Sequence, residues 1–175
     1  DQIPNLESAD LRAINTAALR TMTSDQLDAL TGTQMAQLTT GQVAALTTAQ
    51  LSNLGSDDLN ALSSSQFSAL SSTQVASLTS DQIGTLQSDD VRAISSAGLR
   101  AWSTDQLAAL SETNMGALTT AQVASLTTAQ VSSLVTDDLN ALGTAQFAAL
   151  TTAQVTSLTG AQVGGLVSDD LRAMT

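Results

Sequence analysis

The sequence predicts an all-α fold, a superhelical α-solenoid of very short helices with one helix per eight-residue repeat. Three observations carry this. Every eighth residue from Leu6 to Met174 is a large apolar residue, and a second one stands five places after each, from Leu11 to Leu171. Within an octad the two apolar residues are three apart, as in Val43 and Leu46 or Val123 and Leu126, which places both on one face of a helix. Octads also open with helix-start chemistry, a Ser or Thr followed three residues later by Gln. Repetition this strict outranks local propensity.

A single continuous helix is excluded, because eight residues at about 100° each carry the apolar stripe round by roughly 80° per octad. Each octad therefore holds a break. Taken in order, twenty-one complete octads run from Glu7 to Met174. Asp1, Gln2 and Ile3 align with positions three to five of a partial octad before them, so the chain is expected to be part of a longer array. The second complete octad, opening Asn15-Thr16-Ala17-Ala18, and its counterpart Ser95-Ser96-Ala97-Gly98 lack the Gln, which places a uniform cap in question there. Thr39 with Gln42, Thr47 with Gln50, Thr119 with Gln122 and Thr151 with Gln154 fit the capping box. With the Thr as N-cap, Leu38 with Val43 and Leu118 with Val123 form hydrophobic staples. Position seven is usually Ala or Ser, as in Ala45, Ala61, Ser125 and Ala149, which permits close approach between helices. A helix of under two turns is far below the roughly 12 to 15 residues needed for independent stability, so neighbouring octads must hold each one in place. The alternative is a β-solenoid, favoured by the threonine content and opposed by the i, i+3 apolar pairs, the capping boxes and the Ala and Gln.

A second period lies above the first. Residues 7–86 and 87–166 share 46 identities in 80, with Met35 matching Met115, Phe67 matching Phe147, and the run from Asp57 to Leu62 recurring at Asp137 to Leu142. The chain, 1–175, is one repeat array of ten-octad blocks, a third block beginning at 167. Either a block was duplicated, or eighty residues complete a whole number of superhelical turns. No linker or composition shift divides the copies, and the sole proline is Pro4.

Composition removes whole classes of function. With no Cys and no His there is no disulfide, thiol nucleophile or imidazole base, and metals are left with oxygen chemistry. Sixteen acidic side chains against five arginines give a net charge of −11, which disfavours nucleic acid and anionic membrane surfaces. No apolar run approaches the roughly 20 residues of a membrane helix. Without Lys or Tyr as well, a general base would have to be Asp or Glu, and no catalytic constellation is visible. The sequence points to no enzyme, no catalytic residue and no cofactor.

The remaining candidates sit at fixed octad positions. Asp57 and Asp58, Asp89 and Asp90, Asp137 and Asp138, and Asp169 and Asp170 are oxygen-rich pairs that suggest Ca²⁺; the competing and preferred reading puts them in the first turn of a helix, near free N–H groups and the positive end of its dipole. Calcium needs six to eight oxygens about one point, and no EF-hand loop or Gly-Asp nonapeptide is present. All five arginines, Arg12, Arg20, Arg92, Arg100 and Arg172, fall at position six. Arg12, Arg92 and Arg172 follow Asp10, Asp90 and Asp170, so an ion pair within or between turns of the coil is expected. Arg20 and Arg100 stand beside Met22 and Trp102, and an exposed aromatic there would anchor a partner; Arg20, Arg92, Arg100 and Trp102 are the partner-binding candidates. Threonine ladders at 39–40, 47–48, 119–120 and 127–128 resemble ice-binding faces, although capping already explains their spacing.

The wording Thr-Thr-Ala-Gln-Val-Ala-Ser-Leu at 119–126, with close copies at 39–46, 127–134 and 151–158, resembles the short Thr/Ala/Gln/Leu repeat arrays of very long secreted or surface proteins of Gram-negative bacteria. That resemblance implies an extracellular or cell-surface stalk attached to other modules. The functional expectation is a non-catalytic spacer or scaffold that binds a protein partner or associates with itself; a Ca²⁺-responsive secreted segment is the alternative, and ice binding the minor one.

Overall fold

The fold is drawn from a computed structural model, which describes residues 6–174; the partial octad and Pro4 lie outside the described residues, save for its last residue, Leu6. Among the described residues there are 21 α-helices of five or six residues and no strand, one helix per octad from α1 (Ser8–Ala13) to α21 (Ser168–Ala173). The β-solenoid alternative is thereby overturned. Period-three apolar pairs cannot alternate across a pleat, and the caps convert each pair into a helix face.

After most six-residue helices the break is made by extended backbone at positions eight and one. Leu38 ends one helix at φ −57°, ψ 141°, and Thr39 opens the next at φ −69°, ψ 155°. No described residue has positive φ, so the bend needs no glycine and can recur at any octad. The twelve octads that read Ser/Thr-x-x-Gln all close the capping box: the hydroxyl accepts from the Gln backbone N–H, and the Gln Oε1 accepts from the N-cap N–H. Gly143 has no side chain to contribute, so only the return bond remains there, from its N–H to Gln146 Oε1 at 2.5 Å. Asn15 and Ser95, in the octads without Gln, still cap through their own side chains, accepting from Ala18 N–H and Gly98 N–H. Those helices begin normally and lack the return bond alone.

Helices pack on their neighbours three octads away. α9 (Ser72–Ala76) lies against α12 (Ser96–Arg100), α8 (Ser64–Ser68) against α11 (Ser88–Ala93), and the pattern runs the length of the chain. The position-five residues form the innermost row, with Leu11, Val43, Phe67, Val91, Val123 and Phe147 fully buried, and the position-eight residues close the layer beside it. One continuous thin core results, filled chiefly by Leu and Val as the low aromatic content requires.

Candidate functional site

The feature that dominates the geometry is a ladder of hydrogen bonds between turns, built by the position-four glutamines. Having given its Oε1 to the cap, each position-four Gln from Gln34 to Gln162 turns its Nε2 toward the preceding turn. Gln42 donates to the carbonyls of Leu11 at 2.8 Å and Ile14 at 2.9 Å, 31 and 28 residues earlier. Gln122 does the same to Val91 and Ile94, both at 2.8 Å, and Gln50, Gln82, Gln130, Gln154 and Gln162 repeat the arrangement. These amides are among the most buried polar groups of the molecule. Each is satisfied at both ends, so its burial carries no unpaired group.

A second set of bonds runs the other way, from position six to the last carbonyl of a helix one turn ahead. Arg12 Nε donates to Gln37 O at 3.2 Å and Arg92 Nε to Ala117 O at 3.1 Å. Asn60 and Asn140 reach Thr85 O and Gly165 O in the same manner. A cation or amide at that spot meets the negative end of the helix it faces.

Two of the arginines make the expected ion pair, each within its own helix. Arg92 lies 3.9 Å from Asp89 and Arg172 3.3 Å from Asp169, so the salt-bridged carboxylate is the exposed first member of each Asp pair, three residues before the Arg on the helix surface, and not Asp90 or Asp170. Arg12 forms no ion pair with Asp10 among the described residues; its guanidinium serves the next turn. Arg20 and Arg100 are exposed and unbridged among the described residues, Arg20 lining a shallow groove with Ala44, Thr47, Thr48 and Gln74.

Trp102 is not the exposed anchor the sequence suggested. It is 3% exposed, occupying the buried position eight that Leu fills in most octads, and its indole N–H donates to Val75 O at 2.9 Å. The adjacent Gly98 takes the place of a ladder residue. A Cβ at residue 98 would stand 3.2 Å from Val75 Cβ, so its absence lets α12 settle tightly on α9 beneath the indole.

The Asp pairs divide in two. Asp57, Asp89, Asp137 and Asp169 are exposed at the second helical residue, whereas Asp90, Asp138 and Asp170 are buried at the third, where the ladder otherwise carries Gln, and Asp58 is half-buried there. Desolvation, then the neighbouring Asp89, pushes Asp90 up to about 6 against the pull of the Gln87 N–H, which favours the ionised form. Burial likewise raises Asp58, Asp138 and Asp170, with neighbouring carboxylates adding to it in each case. Among the described residues no three acidic side chains converge as a metal site would require, and no helix is long and apolar enough to cross a membrane.

A molecule whose successive octads repeat one core pair, most of them with the same cap and ladder residue, is a tandem-repeat solenoid. The model of the ALTTAQ repeat matches residues 3–40, 52–88, 83–120 and 131–168, most of the chain, and the chain belongs to that repeat family. The matches at 3–40 and 83–120 stand eighty residues apart, as the block period requires. Comparison with the curated proteins returned no match.

Proposed function

We propose that the chain is a non-catalytic structural module, a spacer or scaffold within a larger protein that holds other parts at a set separation and offers its surface to a protein partner. The observation supporting this is the ladder itself. The position-four amides and the position-six donors are spent on joining one turn to the next, an investment in length and stiffness in which no cluster of reactive groups takes part. The exposed arginines Arg20 and Arg100, cations on an otherwise acidic surface, are the places where an acidic partner would be met. Export to the cell exterior fits a chain without Cys, and that address belongs to the proposal.

Small-angle scattering of the chain beside a variant carrying a second copy of residues 87–166 in frame tests the spacer. The expected outcome is a maximum dimension that grows in proportion to the added octads at constant cross-section; growth in all directions sinks the proposal. The same samples are melted with millimolar Ca²⁺ and with chelator. Equal midpoints keep the Asp pairs as helix-start residues, while folding only with Ca²⁺ replaces the spacer by a Ca²⁺-responsive segment.

A further inference from the structure

Asn114 shows what the ladder demands at its shortest. It stands at position four of α14 (Glu112–Ala117), 3% exposed, and although one methylene shorter than Gln it still donates from Nδ2 to Leu86 O, 28 residues earlier, at 2.6 Å. Its Oδ1 accepts from the Ser88 hydroxyl at 2.7 Å. Asp has the shape of Asn with one difference: ionised, it only accepts, and it brings a negative charge to a place built to bind carbonyl oxygens. Asp90, Asp138 and Asp170 occupy this position and are 4%, 7% and 4% exposed. Counting back 28 residues, the carbonyls in the place of Leu86 O belong to Leu62, Leu110 and Leu142. One oxygen of Asp170, Oδ2, is buried with no partner.

We propose that these aspartates are proton-gated rungs, each of which joins its turn to the one before only in the acid form, accepting with one oxygen and donating its O–H to the carbonyl 28 residues back. Ionised, the same side chain sets a buried carboxylate toward carbonyl oxygens and weakens the turn-to-turn contact. The repeat array is then uneven by design, amide rungs holding at all pH and acid rungs letting go at neutral pH.

The surroundings favour this for Asp90. Its own α11 carries Asp89 and Arg92, of which Arg92 is turned to Ala117 O and to Asp89 at 3.9 Å. α8, packed beneath, carries no charged group, α14, packed above, brings Glu112, and α7 (Ser56–Asn60), just before Leu62, brings Asp57 and Asp58. For Asp138, on α17 (Thr136–Asn140), the facing groups are Asp137 on its own helix and Glu112 on α14, with none on α20 (Gly160–Gly165). For Asp170 they are Asp169 and Arg172 of α21, with none on α18 (Thr144–Ala148). No neighbouring helix brings a cation to hold any of the three ionised, and the cations of their own helices, Arg92 and Arg172, are turned to Asp89 and Asp169. The direction follows: a carboxyl raised in the folded chain, about 6 for Asp90, holds its proton where the unfolded chain has lost it. Stability rises as pH falls from neutral through that value and the gain is complete below the ordinary carboxylate range.

The decisive experiment melts the full chain, in chelator, at pH 7.5 and pH 5.0, with two triple variants of equal charge. Asp90→Asn/Asp138→Asn/Asp170→Asn makes the rungs permanent amides; Asp89→Asn/Asp137→Asn/Asp169→Asn removes as much charge from the exposed neighbours. The wild type is expected to melt higher at pH 5.0 than at 7.5, the buried triple to melt above wild type at pH 7.5 and lose most of the rise, and the exposed triple to keep it. Equal behaviour of the two triples, which general charge repulsion would give, overturns the proposal, as does a wild type whose melting ignores pH. Should the buried triple not fold, carboxyl-carbon NMR of the wild type decides: a midpoint for Asp90 well above the ordinary carboxylate value upholds the proposal, and one at that value ends it.

Discussion

At the scale of the residue, one side chain does the work of two. The Gln of the octad is both the return half of a capping box and a bridge to the preceding turn, Oε1 serving the first and Nε2 the second. Removing it therefore costs more than removing the Thr it pairs with. Thr119→Ala is expected to lose about 1 kcal/mol, the usual value of an N-cap. Gln122→Ala, which strands the carbonyls of Val91 and Ile94, is expected to lose on the order of 3 kcal/mol, and denaturant titration compares the two. Equal losses would reduce the Gln to a cap. The capping half was legible in the sequence through Ser/Thr-x-x-Gln, and the bridging half was not, since its acceptors lie 28 and 31 residues away. A signal was nonetheless present: Glu closes a capping box as well as Gln does, yet no position four in the array holds Glu. Only the amide has the donor. Trp102 was misplaced for a related reason, because a lone aromatic beside an Arg reads as a surface anchor unless its octad position is given priority. Its emission is expected to be blue-shifted and shielded from acrylamide in the folded chain; emission like that of free indole would put it back on the surface.

At the scale of the element, the helices are legible and their ends nearly so. Period, caps and staples named one helix per octad, and the structure has one in each of the twenty-one. What makes an element this short tolerable is the extended pair at positions eight and one, which turns the chain without the left-handed residue that usually closes a helix. The bend is thus paid for by capping and packing alone, and its phase must be kept. An alanine inserted between Ala45 and Leu46 displaces Leu46 from its buried row and moves its carbonyl away from Gln74 Nε2, 2.8 Å distant. Insertion of a complete Thr-Thr-Ala-Gln-Val-Ala-Ser-Leu octad after Leu126 keeps the spacing of the core and ladder positions. Thermal melting followed by circular dichroism is expected to show a drop of several degrees for the single residue and little change for the octad. A matching drop for both would mean that the cores of successive octads are not interchangeable. The carboxylates were only half legible at this scale: the sequence placed each pair in the first helical turn, but which member is buried depends on which face the neighbouring turn covers.

At the scale of the whole molecule, the number of octads per turn lay beyond the sequence, because an eight-residue period fixes the step and not how many steps close a circle. Bonds between turns span 25 to 31 residues, so a turn takes between three and four octads. Three turns then take 75 to 93 residues, a range that contains the eighty-residue block. The cross-turn bonds also repeat at that interval: Arg12 to Gln37 and Arg92 to Ala117, Gln50 to Leu19 and Gln130 to Leu99. The stacking of each turn on the one before gives an irregular residue in one block the same kind of neighbour as its counterpart in the next. It also makes stability a sum over contacts between adjacent turns, as in other one-dimensional repeat arrays. Residues 7–30 hold three octads and none of the Gln bridges between turns, so that fragment is expected to be unfolded by circular dichroism. Residues 7–86 retain the bridges of Gln42, Gln50, Gln66, Gln74 and Gln82 and are expected to be helical, melting below the full chain. Helix in the shorter fragment at the content of the longer one would show that octads stand alone, and the ladder would lose its place as the bond that makes the array.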